Sequence, residues 1–324
     1  MKKQFRLVLN FLHVAAAGLL FITMACEETP AESESAYPDV TREEKIPQSA
    51  VKMTPDMDAY PPVLHLDTWD DPVPLGSPVN TAGGEDSPFI PADREELYFF
   101  FTPDVGVPAE NQLFDQVTGI YVSRYANGVW QAPERVWLQD PGKLALDGAE
   151  FVQDNTMLFV TAREGYTGLH WFSAEYTDGK WMNWQNADFP AEYEVGELHI
   201  HDQELYYHSA ISGGKGQYDI WMLTRVNGSW QNPVNVEICN SAETDGWPYV
   251  TPDGKELWFT RIYLGSPAVY RSVRKDNAWQ TPELVISSFA GEPTMDRSGN
   301  LYFVHHFYKD GAMIEADIYV CYRK

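Results

Sequence analysis

The stretch NGSWQNP at residues 227–233 has three partners in the chain: NGVWQAP at 127–133, DGKWMNW at 178–184 and DNAWQTP at 276–282. Their tryptophans, Trp130, Trp181, Trp230 and Trp279, are spaced by 51, 49 and 49 residues. Self-similarity at a fixed period of this size marks a repeat architecture. Each copy opens on Asn-Gly, Asp-Gly or Asp-Asn, the pairs that tolerate the left-handed positions of a tight hairpin turn, so each is read as a turn leading into a strand.

Outward from the tryptophans, each period has the same internal order. A first short segment reads GEDSPFI from 84, DGAEFV from 147, GELHIH from 196, DGWPYV from 245 and GEPTM from 291. A second, aromatic-rich segment follows: ELYFFFT at 96–102, MLFVTA at 157–162, ELYYHSA at 204–210, ELWFTR at 256–261 and LYFVHH at 301–306. A third runs GIYVSRY, LHWFSAEY, DIWMLTRV, AVYRSVRK and DIYVCYR. With the tryptophan strand, this predicts a four-stranded antiparallel unit with no helix between copies, and units of that kind repeated around an axis form a β-propeller. Five copies of the first three strands meet only four tryptophan strands after them, because the chain stops at Lys324. The fifth is HLDTWDDPV at 65–73, whose Trp69-x-x-Pro72 matches the Trp-x-x-Pro at 130, 230 and 279. The expected fold is therefore all-β, a five-bladed β-propeller closed by an N-terminal strand. Its last blade is built from residues of about 62–70 plus 291–323, and 104–118 is an extra loop in the first blade.

The segment TDGWPYVTPDGKELWFTR at 244–261 resembles the WD40-like (PD40) propeller repeat, found in the C-terminal domain of the translocation protein TolB and in many envelope lipoproteins. The fourth period carries the motif from Pro248 to Phe259; the first has Pro88 and Asp93, the fifth Pro293 and the turn Asp296 to Gly299. The second and third lack the Pro and the Asp-Gly pair. The resemblance covers residues 62–324 and implies a propeller; six blades and a preceding α/β domain, both features of TolB, have no counterpart here.

At the N-terminus, Lys2, Lys3 and Arg6 precede an apolar run from Leu7 to Ala25, the layout of a secretory signal. Thr23-Met24-Ala25-Cys26 resembles the bacterial lipoprotein signal, which implies cleavage after residue 25 and lipidation of Cys26. An ordinary cleaved signal or an uncleaved anchor is the other reading. Residues 26–60 are rich in Glu, Ser, Pro and Thr without apolar periodicity, and are expected as a disordered stalk between the signal (1–25) and the propeller (61–324). The acidic start resembles signals that send lipoproteins to the outer face of the outer membrane. The chain is thus expected in the cell envelope, held to the membrane by its lipid alone. A formal net charge of −24, from which signal removal takes only positive groups, repels phosphate backbones and argues against nucleic acid. Cys239 and Cys321 fall in different periods and are not expected to pair.

The repeated tryptophans are expected to pack between blades rather than bind sugar. First strands line the central channel, and their starts carry Glu85, Asp86, Asp147, Glu150, Glu197, Asp245 and Glu292, with Trp247 as the aromatic that reaches the same face. Converging carboxylates repel one another, raise one another's pKa values and attract a cation or a polyhydroxylated ligand; alternatively they bond turn amides. These eight residues are the expected ligand-binding set. Five-bladed propellers also include glycosidases with two Asp and one Glu on inner strands, parts that Asp86, Asp147 and Glu292 could take. His199 and His201 share a strand face, with His208 on the next strand, and form a weak metal candidate. His305 and His306 point to opposite faces. No cofactor is called for, with Ca²⁺ or Zn²⁺ in the channel left open. No nucleophile elbow is present and no helix follows Gly213 to Gly216 to hold a phosphate. The expected role is a monomeric protein- or glycan-binding scaffold, with glycoside hydrolysis the alternative.

Overall fold

The computed structural model describes residues 36–324. Apart from short helical turns, these residues form antiparallel strand sets that follow the sequence periods, with one parallel pairing, Ala316 to Gly84, joining the fifth period to the first. Ala145–Gln153, Thr156–Arg163, His170–Thr177 and Lys180–Asn186 make one four-stranded sheet, and Leu198–His201, Glu204–Ser209, Asp219–Val226 and Ser229–Asn235 the next. The first period contributes Gly84–Phe89, Glu96–Thr102 and Gly119–Ala126, the fourth Asp245–Val250, Glu256–Tyr263 and Ser266–Lys275, and the fifth Ala290–Met295, Leu301–Lys309 and Ala312–Cys321. Asn127, Asp178, Asn227, Asp276 and Asn277 all sit at φ of 50 to 61°, the left-handed turn positions their side chains tolerate. The first strand of each period abuts the first strand of the next, and that of the fifth abuts that of the first. Sheets radiating from a ring of first strands are propeller architecture.

In the first, fourth and fifth periods the fourth strand is interrupted at a proline. In the first period Trp130 pairs with Tyr125, Pro133 has no N–H to give, and the ladder resumes at Glu134–Arg135. In the fourth, Trp279 pairs with Arg274 and pairing resumes at Glu283–Ser287. Residues 69–74 behave the same way on the fifth period: Trp69 bridges Arg323, and after Pro72 the residues Val73 and Pro74 pair with Val320 and Tyr319. The expected span of about 62–70 is thereby corrected. Val63 and Leu64 pair with Ser287 and Ile286 at the outer edge of the fourth period, and the strand on the fifth runs on to residue 74. In the third period Pro233 lies inside the continuous strand Ser229–Asn235.

The tryptophans pack between sheets, each against the second strand of the preceding period. Trp181 meets Tyr98 at 6.5 Å between ring centroids, Trp279 meets Tyr206 at 5.9 Å, Trp69 meets Trp258 at 5.6 Å and Trp130 meets Tyr302 at 6.1 Å, all edge to face. Trp230 packs in the same cluster as Leu158, the residue at the corresponding place. Such pairs contribute about 0.5–1.5 kcal/mol beyond the area they bury. The partner rings are held in turn by acids two residues earlier: Tyr98 donates to Glu96, Tyr206 to Glu204 and the Trp258 indole to Glu256.

Residues 36–60, expected as part of a disordered stalk, instead lie against the sheets. Thr41 caps the turn Arg42–Lys45 with a capping box. Arg42, 5% exposed, donates to the carbonyls of Val79 and Pro78 and to Glu85. Lys52 Nζ bonds Glu315 and Asp317, and Asp58 meets His305 at 2.9 Å. Composition misled because the cohesion is ionic: the segment contributes cations to carboxylates that the strands bury. Burial still pushes Asp317 up to about 8 despite Lys52. The signal, Cys26 and residues 26–35 lie outside the described residues.

Trp69 is 2% exposed, so Trp69→Ala is expected to cost about 3–5 kcal/mol in urea unfolding, more than Trp279→Ala, whose indole is only partly buried. Wild-type stability for Trp69→Ala would show that 69–74 adds nothing to the ring.

Candidate functional site

Four of the first strands carry a bulge that aims a side chain at the axis. The register slips at 86–89, 148–151, 246–249 and 291–294, and within each slip one residue turns left-handed: Ser87, Ala149, Trp247 and Glu292, at φ of 50 to 53°. Such a conformation in a non-glycine residue costs on the order of 1–3 kcal/mol, and bulges of this kind re-aim side chains beside functional sites. The third period, Leu198–His201, pairs regularly.

The bulges divide the rim acids into two sets. Glu85, Asp147 and Asp245 precede them and are fully buried. Glu85 accepts from Arg42 at 3.1 Å and from the Thr81 amide and hydroxyl at 2.9 and 2.7 Å. Asp147 accepts from Arg163 at 3.2 Å. Asp245 accepts from the Ser241 amide and hydroxyl, both at 2.7 Å, and from Arg261 at 2.5 Å. Each of the three is engaged by its own partners, although Oδ2 of Asp147 has none among the described residues.

Asp86, Glu150, Glu197 and Glu292 form the second set, close enough to act on one another's charge. Burial raises Glu292 well above the ordinary carboxylate range, and the charges of Asp86, Glu197 and Glu150 add to it. Burial likewise raises Glu150, helped by Glu197, and lifts Glu197 to about 7, helped by Asp86 and opposed by a hydrogen bond from Trp247. Asp86 moves the other way. Burial disfavours its charge, but His306 at 3.5 Å and the Ser87 amide outweigh that and hold it below its usual value. Neither oxygen of Glu150, nor Oε2 of Glu292, has a hydrogen-bond partner among the described residues. Trp247 donates its indole N–H to Glu197 at 3.1 Å and lies 4.9 Å from the His208 ring. Burial pushes His208 down to about 4, which leaves it neutral and able to accept the Trp247 amide on Nδ1.

An aromatic collar lies beside these acids. Phe89, Phe151, His199 and Tyr249 occupy the same position in successive periods and touch in sequence at 5.4, 5.1 and 4.9 Å. Thr294 takes the fifth place. Glu150, Glu197, Glu292 and Trp247 line a space of about 50 Å³ bordered by this collar, room for one or two waters and far below the size of ordinary ligand pockets.

The expected ligand set thus splits: Asp86, Glu150, Glu197, Glu292 and Trp247 come together, whereas Glu85, Asp147 and Asp245 do not join them. The catalytic arrangement of Asp86, Asp147 and Glu292 loses its middle member to Arg163. His199 belongs to the collar, with burial and His201 lowering it to about 3, and His201 meets the Pro252 carbonyl at 3.2 Å. Among the described residues no three His, Cys, Asp or Glu side chains are grouped to hold a metal ion. His306 was missed because alternation along a strand tells which face a residue takes, not which neighbour it meets. A larger cleft, about 450 Å³, lies between the fifth and first periods, lined in part by Arg94, Tyr125, Trp130, Arg297, Tyr302 and Tyr322. Tyr125 and Tyr322 are 41% and 47% exposed. The Trp-x-x-Pro match at residue 69 brings the two periods together, but nothing in the sequence said that a cleft would remain between them.

No family model and no curated protein matches the chain. Solved structures similar to it include TolB from Acinetobacter baumannii, at 12% identity and TM-score 0.41, covering 75% of this chain and 55% of that one. Bacteroides ovatus xyloglucan PUL GH43B is similar at 12% identity and TM-score 0.48, covering 77% and 54%. An endo-arabinase from Bacteroides thetaiotaomicron is similar at 13% identity and TM-score 0.47, covering 80% and 98%. The chain therefore spans about half the length of the first two.

Because folded Glu197 keeps its proton to about pH 7 while an unfolded glutamate loses it near 4.3, this group lowers stability progressively as pH rises between those values. Glu197→Gln is expected to raise the urea midpoint above wild type at pH 7.5, with a gap that narrows steadily as pH falls toward 4. A gap independent of pH would contradict the buried, proton-holding state.

Proposed function

We propose that this chain is a lipid-anchored cell-envelope protein, tethered through Cys26 at the outer membrane. Its five-bladed propeller, closed by residues 69–74, acts as a protein- or glycan-binding scaffold. What supports the closure is the repeated geometry: Trp69 meets the preceding sheet as Trp181 and Trp279 do. The single observation that carries the binding reading is the contrast in size between the two concave sites. The cleft of about 450 Å³ falls within the range of ligand sites, whereas the axial acids enclose about 50 Å³. Tyrosine, tryptophan and arginine are the residues that anchor protein partners, and the cleft displays all three, which favours a segment of an envelope protein over a sugar chain.

A second reading, glycoside hydrolysis at the axis, has one observation in its favour. Burial and neighbouring charge raise Glu292 while His306 and the Ser87 amide lower Asp86, opposite shifts of the kind that suit a general acid and its charged partner. A sugar ring would need that space to open. If it does, Glu292→Gln abolishes turnover of the polysaccharide substrate and leaves folding intact.

The discriminating experiment is crosslinking of the native lipidated protein in its own membranes, read by mass spectrometry. A partner lost with Tyr125→Ala plus Arg297→Ala and retained with Glu292→Gln is the expected result. A partner indifferent to the cleft substitutions would overturn the assignment of the cleft.

A further inference from the structure

A third concave site lies away from both the axis and the cleft, where the extra loop of the first period faces the connection into the second. It measures about 280 Å³, and Tyr37, Gln112, Asp115, Arg135, Trp137 and Gln139 are among its lining residues. No repeat symmetry produces it, because residues 104–118 have no counterpart in the other periods.

Arg135 is the unusual member. Its guanidinium carbon lies 5.4 Å from the centroids of both Tyr121 and Trp137. Nε and Nη1 are covered and have no hydrogen-bond partner among the described residues. Space for the group comes from Gly119, at φ +139°, where any β-carbon would collide with the guanidinium. The acids whose charge acts on it are engaged elsewhere: Asp147 accepts from Arg163, and Asp115 accepts from the amides of Val117 and Thr118 and from the Thr118 hydroxyl. Lys143, on the same rim, is paired with Glu164. Trp137 is held in place by Tyr37, which stacks on it at 4.4 Å and 15° and donates its hydroxyl to the Gln139 carbonyl.

A covered guanidinium without an acceptor is costly, and in a chain with 47 acidic residues against 23 basic ones an acidic partner would be easy to provide. The neighbourhood instead gives it two aromatic faces, a glycine seat and a cavity. An arginine fork is suited to planar oxyanions, and the side-chain amides of Gln116 and Gln139 in the lining can donate to hydroxyls. We propose that this cavity binds a small hydroxylated carboxylate of the uronic acid class, with Arg135 receiving the carboxylate. The volume limits the occupant to about one sugar unit. The site is independent of the cleft and of the axial acids, so its failure would leave the function proposed above untouched.

The test is calorimetric titration of the detergent-solubilised full chain with D-galacturonate, with D-galactose as the neutral counterpart. Galacturonate is expected to bind and galactose to bind at least tenfold more weakly. Arg135→Gln and Arg135→Met, the second keeping an apolar filling between the rings, should each weaken galacturonate at least tenfold, and Arg135→Lys should fall between. Equal binding of the two sugars, no binding of galacturonate by the wild-type chain, or undiminished binding by a folded Arg135→Met variant would overturn the proposal.

Discussion

Contact between an outer-strand indole and the second-strand ring of the preceding sheet is the interaction on which the other features depend. A single four-stranded sheet has two faces to cover, and the repeat covers them by leaning each sheet on its neighbour through one large side chain at a fixed position. Trp181, Trp279, Trp69 and Trp130 make that contact in edge-to-face geometry, and the glutamates that bond Tyr98, Tyr206 and Trp258 hold the receiving rings in orientation. The axial first strands follow from it. They meet because the sheets behind them are spaced by these rings.

Charge is organised around the same frame. The strands of the first and fifth periods bury Glu85, Glu315 and Asp317 near one another, a placement that would be repulsive without cations. Arg42 and Lys52 come from the segment before the repeats, so 36–60 serves as an electrostatic strap across the junction that 69–74 also bridges. Glu85 is still pushed up to about 7 by burial, with Arg42 and Thr81 opposing it. The junction between first and last periods therefore depends on ionic contacts as well as on packing, as does the junction of the third and fourth, where Arg274 pairs with Glu204 at 2.7 Å.

At the axis, strain and desolvation coincide. Trp247 and Glu292 are poor occupants of a left-handed position, yet both take it inside a bulge, beside carboxylates that burial and one another's charge raise above the ordinary range. That combination distinguishes Asp86, Glu150, Glu197 and Glu292 from Glu85, Asp147 and Asp245, which look the same in sequence. The axial space is small, about 50 Å³, and the larger concavities lie elsewhere.

The sequence by itself determined the all-β repeat, the positions of the hairpin turns, the packing role of the tryptophans and the kinship of Trp69 with them. These are local or periodic signals: a turn needs its Asn-Gly pair, and a contact made once per period leaves a spaced residue. Tertiary structure alone decided which acids face the axis, because a one-residue bulge exchanges the faces of a strand without changing its composition. It also decided that 36–60 is packed, since two cations reaching buried acids more than 40 residues away along the chain leave no periodic trace. The same holds for His306 beside Asp86, for the cleft between the terminal periods and for Arg135 on its glycine seat, all produced by contacts between segments that carry no sequence relation to each other.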